Sequence, residues 1–380
     1  HPMDTERDQK YLNNIQKKNY IALNMSERLP DINFWKNKKV FITGHTGFKG
    51  SWMCIMLNLL GAKIYGYSLK PDKKSLFIQA KCSEFINKNI YSDIKNEKKL
   101  FKSINKIKPD LLFHLAAQPL VIEGYKNPID TFDTNIKGTI NILNSIRKCK
   151  SLKSVVIITT DKVYKIQKKN KFYSENDELG GSDPYSASKV CTEILTNSFI
   201  QSFFKMTNLR NRVSSARSGN VIGGGDYAKN RLVPDIVSAI YKKRKLYIRN
   251  PNHIRPWQHV IEPTYGYLKL AQSQYENKLK NLDAKWNFGP NKKSFIKVID
   301  VIRRINKFKK IKFKFNKKSK LQETRVLKLN NYKAKKFLKW KPKWSLNKSL
   351  NNVIEWNDIY KKNKNAKKIC EKQIINYLGK

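Results

Sequence analysis

The chain has 380 residues, with 78 Lys and Arg against 29 Asp and Glu for a formal charge of +49, and hydrophobic residues make up 40% of it. That length predicts about two domains, and that apolar content suffices for a sizeable core, which excludes a wholly disordered chain whatever its charge. No apolar run reaches the ~18–20 residues of a membrane span and no signal-peptide core opens the chain, so a soluble cytoplasmic protein without a membrane partner is expected.

Residues 1–33 are polar and charged without an apolar period, and read as a loose N-terminal arm. Residues 38–43 (KKVFIT) then form an apolar strand signal, followed by a glycine-rich turn, an apolar helix over 51–62 (SWMCIMLNLLGA) and a strand over 62–69 (AKIYGYSL). Further strands are expected at 111–115 and 155–160, separated by helical stretches that include 131–148. Strands alternating with helices at this spacing predict an α/β fold, a Rossmann-type doubly wound parallel sheet. Beyond residue 289 the texture changes to short strands, charged helices and Trp-Pro punctuation, which fits a smaller α/β substrate-binding domain.

The basic excess invites a nucleic-acid reading, because clustered Lys and Arg neutralise phosphates. Here the excess is mostly lysine, dispersed along the whole chain among Asn and Ile, and arginine, which binds phosphate through a planar fork, is scarce. No nucleic-acid partner is expected. The lysine-rich tract at 307–320 alternates with Phe and Ile at period two, as an exposed-face strand would. Five scattered cysteines (Cys54, Cys82, Cys149, Cys191 and Cys370) form no CxxC pair, and five histidines form no HxH or HxxH pair. Reduced thiols and no metal site are expected.

Three groups of residues carry chemistry. Gly44, Gly47 and Gly50 make a GxxGxxG turn between strand and helix, where backbone can approach a pyrophosphate at a helix N-terminus; alone it could equally be a plain turn. The acid such a turn calls for at the end of the second strand is offered only by Asp72, among lysines, which leaves NAD and NADP both open. Tyr185 and Lys189 form YxxxK, which on a helix sets a phenol beside an ammonium. That ammonium is expected to lower the tyrosine pKa and make it a base for an alcohol losing hydride. Thr160, placed at a strand end upstream, supplies the hydroxyl of a Thr–Tyr–Lys triad. Arg217 stays open between part of the site and a strand-end surface position.

Glycine turn, HLAAQP (114–119), Thr160 and YxxxK, in that order, resemble the extended short-chain dehydrogenase/reductases. Within them GHTGFKGS (44–51), TDKVY (160–164), GGSDPYSASK (180–189), SGNVIGGGD (218–226), IRPWQHVIEP (254–263) and NFGP (287–290) resemble the CDP-glucose 4,6-dehydratases, over residues 34–360. The resemblance implies a discontinuous NAD-binding domain at 34–220 and 253–273 and a nucleotide-sugar-binding domain at 221–252 and 274–380. It implies NAD as cofactor, held by Gly44, Thr46, Gly47, Phe48, Lys49, Gly50, Asp93, Ile94, Leu115, Ala116, Ala117, Asn135, Tyr185 and Lys189. CDP-glucose as substrate would be held by Gln118, Asn220, Arg231, Arg255 and Gln258. The reaction implied is oxidation at C4, loss of water across C5–C6 and return of the hydride to C6. Thr160, Tyr185 and Lys189 would serve the first step, with Asp161 as acid and Lys162 as base for the elimination. A homo-oligomer, dimer or tetramer, is implied through helices flanking YxxxK.

The sequence departs from that pattern at three places. Lys162 stands where related dTDP-sugar enzymes carry a carboxylate, so it is either a base or a residue that positions substrate. The stretch 165–177 is lysine-rich and lacks tryptophan, and Gln322-Glu323-Thr324 replaces a His-Glu-Ala stretch. The alternatives are another nucleotide-sugar dehydratase or an epimerase of the same superfamily, and, from a different class, a non-catalytic basic binding protein on a dehydrogenase scaffold.

Overall fold

The structure, a computed structural model, describes residues 31–167, 171–279, 282–315 and 326–379. Most of the expected arm and the Gln322-Glu323-Thr324 stretch lie outside the described residues.

Six strands open the fold: β1 (Lys39–Thr43), β2 (Lys63–Ser68), β3 (Lys88–Tyr91), β4 (Leu111–His114), β5 (Ser154–Ile158) and β6 (Val213–Ser218). Then follow β7 (Val221–Ile222), β8 (Leu246–Ile248), β9 (Ile254–Pro256), β10 (Gln258–His259), β11 (Lys285–Phe288), β12 (Phe295–Lys297) and β13 (Phe313–Phe315). Seven of them form one parallel sheet in the order β11-β6-β5-β4-β1-β2-β3. The remaining six pair two by two, β10 with β7, β12 with β9 and β13 with β8. The first half of the lysine-rich tract thus contains a real strand, β13, at the edge of the second lobe, while its end lies outside the described residues.

Central parallel strands are covered on both faces and so carry unbroken apolar runs whose alternate residues enter different cores. In β5, Val156 and Ile158 enter one core while Val155 and Ile157 enter the other; β1 divides Val40 and Ile42 from Phe41 in the same way. The first core is roofed by the helices Phe48–Leu59, Ile261–Tyr275 and Ala366–Leu378, the second by Glu97–Ile107 and Gly138–Ile146. A third core, with Ile236, Leu246, Ile302 and Leu350, belongs to a smaller lobe built on Leu232–Tyr241, Val298–Asn306 and part of Leu346–Asn363. The stretch expected to belong wholly to this lobe gives the main sheet its edge strand β11, and its last helix packs on Phe48–Leu59. The single helix expected at 131–148 is instead Pro128–Phe132, a π-helical turn Asp133–Lys137 and Gly138–Ile146, with Gly138 so close to Ile94 that a Cβ there would lie 2.7 Å from it.

Among the described residues no helix is long and apolar enough to cross a membrane, and no cluster of His, Cys, Asp and Glu could hold a metal ion.

Candidate active site

In a parallel sheet the strand ends that point the same way share one crevice, and the residues just past β1, β4, β5 and β6 all reach it here. It is a cleft of about 640 Å³ between the sheet and the smaller lobe. Its floor begins at Gly44, whose φ of +73° is a left-handed conformation and whose missing side chain lets Ala116 approach; a Cβ there would lie 2.6 Å from the Ala116 nitrogen. The helix Phe48–Leu59 starts at Gly47 with no side chain capping it, so its first amides face the cleft as donors for an anion. Thr46, Gly47, Phe48, Lys49, Gly50, Asp93, Ile94, Leu115, Ala116 and Ala117 all line the cleft. Asp72 does not: its carboxylate accepts from the Lys74 amide at 2.7 Å in its own exposed turn. Ser68 and Leu69 line the cleft at the end of β2 instead, and Thr46 bonds both.

The helix Pro184–Phe199 owes its start to Asp183, which caps it in a reciprocal box with Ser186 and has Pro184 at the first turn. That start aims Tyr185 and Lys189 into the cleft. Thr160 sits two residues beyond β5 rather than at its end, capping the short 3-10 turn Asp161–Val163. The Thr160 hydroxyl bonds the Tyr185 phenol and the Asp161 carboxylate, the latter at 3.1 Å. Lys162 lines the cleft and pairs with Asp161 at 3.4 Å, while Asp161 is fully buried behind it with Oδ2 unpartnered.

The expected electrostatics of YxxxK are corrected here. Burial pushes the Tyr185 phenol up to about 12, against which the Thr160 hydrogen bond and the charge of Arg231 act. Lys189 follows one helical turn further on. Its ammonium donates to the Ile158 carbonyl at 3.2 Å, and burial brings it down to about 8, opposed by Glu193. Lys49, half-buried, is lowered to about 7 by desolvation and by Arg231 and Lys189; it donates to Ser218 at 3.1 Å and to Tyr267 at 3.4 Å.

Of the expected substrate contacts, Asn220, Arg231 and Arg255 line the cleft, with Arg231 paired to Asp226 at 3.4 Å. Gln118 and Gln258 do not line it. Gln118 spends its amide on Leu120 and Thr131, and buried Gln258 donates to the Phe288 carbonyl at 2.8 Å. Asn135, expected at the cofactor, lies behind the wall instead, tying the Gln118 backbone to Ser188 on the YxxxK helix. Arg217 is no surface residue: it is wholly buried in an ion pair with Glu193 at 2.8 Å, and the only trace of Glu193 in the sequence is its place one turn past Lys189.

Residues 41–353 match the family model described as GDP-mannose 4,6 dehydratase. The chain is 39% identical over 358 residues, 92% of its own length and 98% of the relative's, to a Salmonella typhimurium protein named CDP-glucose 4,6-dehydratase. A UDP-glucose 4-epimerase of Mycoplasma genitalium is 27% identical over 241 residues, 59% of this chain and 68% of that protein. Among solved structures, the dTDP-glucose 4,6-dehydratase of Bacillus anthracis, in complex with NAD, superposes with a TM-score of 0.71 at 21% identity, covering 87% of this chain and 99% of that one. The UDP-glucuronic acid 4-epimerase of Bacillus cereus, in complex with UDP-glucuronic acid and NAD, gives 0.71 at 21% identity, covering 85% and 100%.

Proposed function

This chain belongs to the GDP-mannose 4,6 dehydratase family, and from that premise we propose that it dehydrates CDP-glucose to CDP-4-keto-6-deoxyglucose with NAD as a resident cofactor. The observation that carries the dehydratase reading is the pair Asp161 and Lys162, held together immediately beside the triad and facing the same cleft through Lys162. An epimerase needs a group for the 4-hydroxyl but has little use for an adjacent acid and base. CDP as the nucleotide is supported by the Salmonella relative.

NAD suits the residues present: the close approach at Gly44 and the uncapped helix start at Gly47 leave room and donors for a pyrophosphate. When bound, it supplies a two-electron acceptor that is restored within the turnover. The protein's own groups do the rest. Tyr185 takes the proton of the sugar 4-hydroxyl, Thr160 bonds the same oxygen, and Lys189 supplies a cation beside them. The ketone so formed at C4 acidifies the C5 hydrogen. For the elimination the proton of the Asp161–Lys162 pair passes from the ammonium to the carboxylate; neutral Lys162 then removes the C5 hydrogen, Asp161 gives its proton to the departing 6-hydroxyl as water, and a proton returns to C5 when the hydride is delivered to C6. Arg231 and Arg255, at the rim, bind the diphosphate through their planar forks. The enzyme so read works in the cytoplasm as a dimer or tetramer.

Incubation with NAD and CDP-glucose in D2O, followed by mass spectrometry of the sugar nucleotide, tests the proposal. Loss of a water with gain of a solvent deuterium at C5 is expected. An unchanged mass with CDP-glucose, but turnover of a UDP-, GDP- or dTDP-hexose, would replace the substrate.

A further inference from the structure

Arg217 and Glu193 form the most buried ion pair in the described structure, with both side chains essentially inaccessible. A buried pair of this kind adds little net stability over apolar residues of the same size, so its presence beside a catalytic helix calls for another account. Glu193 lies one helical turn past Lys189 and accepts four hydrogen bonds: Thr159 at 2.5 Å, Ser215 at 2.6 Å, and Arg217 through Nε at 3.0 Å and Nη2 at 2.8 Å. Thr159 precedes Thr160, so this contact fixes the strand end that presents the triad hydroxyl. The same carboxylate opposes the effect of burial on Lys189.

The other side of the guanidinium points elsewhere. Arg217 Nη1 donates to the Tyr164 hydroxyl at 2.8 Å and to the Glu175 carbonyl at 3.1 Å. Tyr164 in turn donates to Asn287 on β11 at 2.7 Å. It directly follows the Asp161–Val163 turn and so anchors the far end of the segment that carries Asp161 and Lys162. A planar fork with donors on two edges can hold both partners at fixed angles, which an ammonium cannot.

We propose that the Arg217–Glu193 pair is a positioning hub with two separable arms, one through Thr159 to the oxidation triad and one through Tyr164 to the elimination pair. It rests on the dehydratase reading above. Neither residue touches substrate; both act by holding the groups that do. Removing Arg217 or Glu193 alone would strand a buried charge and threaten the fold, so the two arms are cut further out, where only a hydroxyl is lost.

The test uses the full chain loaded with NAD and CDP-glucose. Sugar oxidation is followed by absorbance of the reduced cofactor, elimination by water loss and deuterium at C5, and folding by thermal melting. Thr159→Val is expected to slow oxidation tenfold or more without accumulation of the 4-keto hexose. Tyr164→Phe is expected to leave oxidation within about threefold and slow elimination tenfold or more, so that the 4-keto hexose accumulates. Equal slowing of both steps in both variants, or a lower melting temperature with both rates intact, overturns the hub. If the unaltered protein dehydrates another nucleotide hexose instead, only the substrate reading falls, and the same partition is read on that hexose.

Discussion

Tyr185 is pulled two ways. Burial raises its phenol to about 12, yet its work requires a phenolate, and the Thr160 hydroxyl and the Arg231 cation are the groups that pull in that direction. Tyr185→Phe removes the base and nothing of the packing, so turnover should fall by about 10²–10⁴-fold with an unchanged melting temperature; dehydration at the normal rate would end the triad assignment. Asp161→Asn should spare oxidation and slow elimination, leaving the 4-keto hexose to build up, whereas equal loss of both steps would reduce Asp161 to a residue that orients substrate. That Thr160, Tyr185 and Lys189 come together in one cleft was legible, because residue type, chain order and an i, i+4 spacing are all local quantities. Gln118, Asn135 and Gln258 do not line the cleft, for the opposite reason. Their amides found backbone and side-chain partners such as Leu120, Ser188 and the Phe288 carbonyl, and nothing in a linear motif says which neighbour a polar side chain will choose.

Among the elements, the helix Ala366–Leu378 falls in the stretch expected in the smaller lobe, yet it packs on the first core. Its apolar face predicts that it packs, not that it packs on the first core of the fold, which lies far off in sequence. What docks it is Glu262, fully buried on Ile261–Tyr275, which accepts from the Lys343 and Trp344 amides and from the Tyr377 hydroxyl. Burial raises that carboxyl from 4.5 to about 7. A folded-state pKa above the unfolded one adds stability that is complete below the unfolded value and lost as pH climbs through the folded one. The contribution of Glu262 should therefore fade between about pH 4.5 and pH 7, by on the order of 3 kcal/mol. Chemical denaturation across that window, compared with Glu262→Gln, should show the Gln variant gaining on the unaltered protein as pH rises; parallel curves would mean that the carboxyl does not titrate there. The βα alternation itself was legible, since strands covered on both faces betray themselves as short apolar runs. The interruption at Asp133–Lys137 was not, since the stretch carries no proline and no local signal that sets it apart from ordinary helix.

For the molecule as a whole, a charge of +49 is a repulsive load carried on dispersed lysines, and several of the described ion pairs are exposed and weak. Screening should relieve more repulsion than it costs in attraction, so the melting temperature should rise as salt is added from about 0.01 M to about 0.15 M, where the Debye length shrinks from about 30 to about 8 Å. A melting temperature that falls with salt would mean that the few attractive pairs outweigh the excess. The way the later part of the chain returns to complete the first sheet was not legible, because nothing local encodes a partner so remote in sequence. That return has a consequence for birth rather than for catalysis. The helix that begins at the glycine turn leaves the ribosome early, but its apolar cover, Ile261–Tyr275 and then Ala366–Leu378, is synthesised much later. Until then Trp52, Ile55 and Met56 have no finished core to enter, and the nascent chain must carry an uncovered greasy face through most of its translation. Such a chain is a natural client for chaperones, and its yield in a cell should depend on how quickly its end is made.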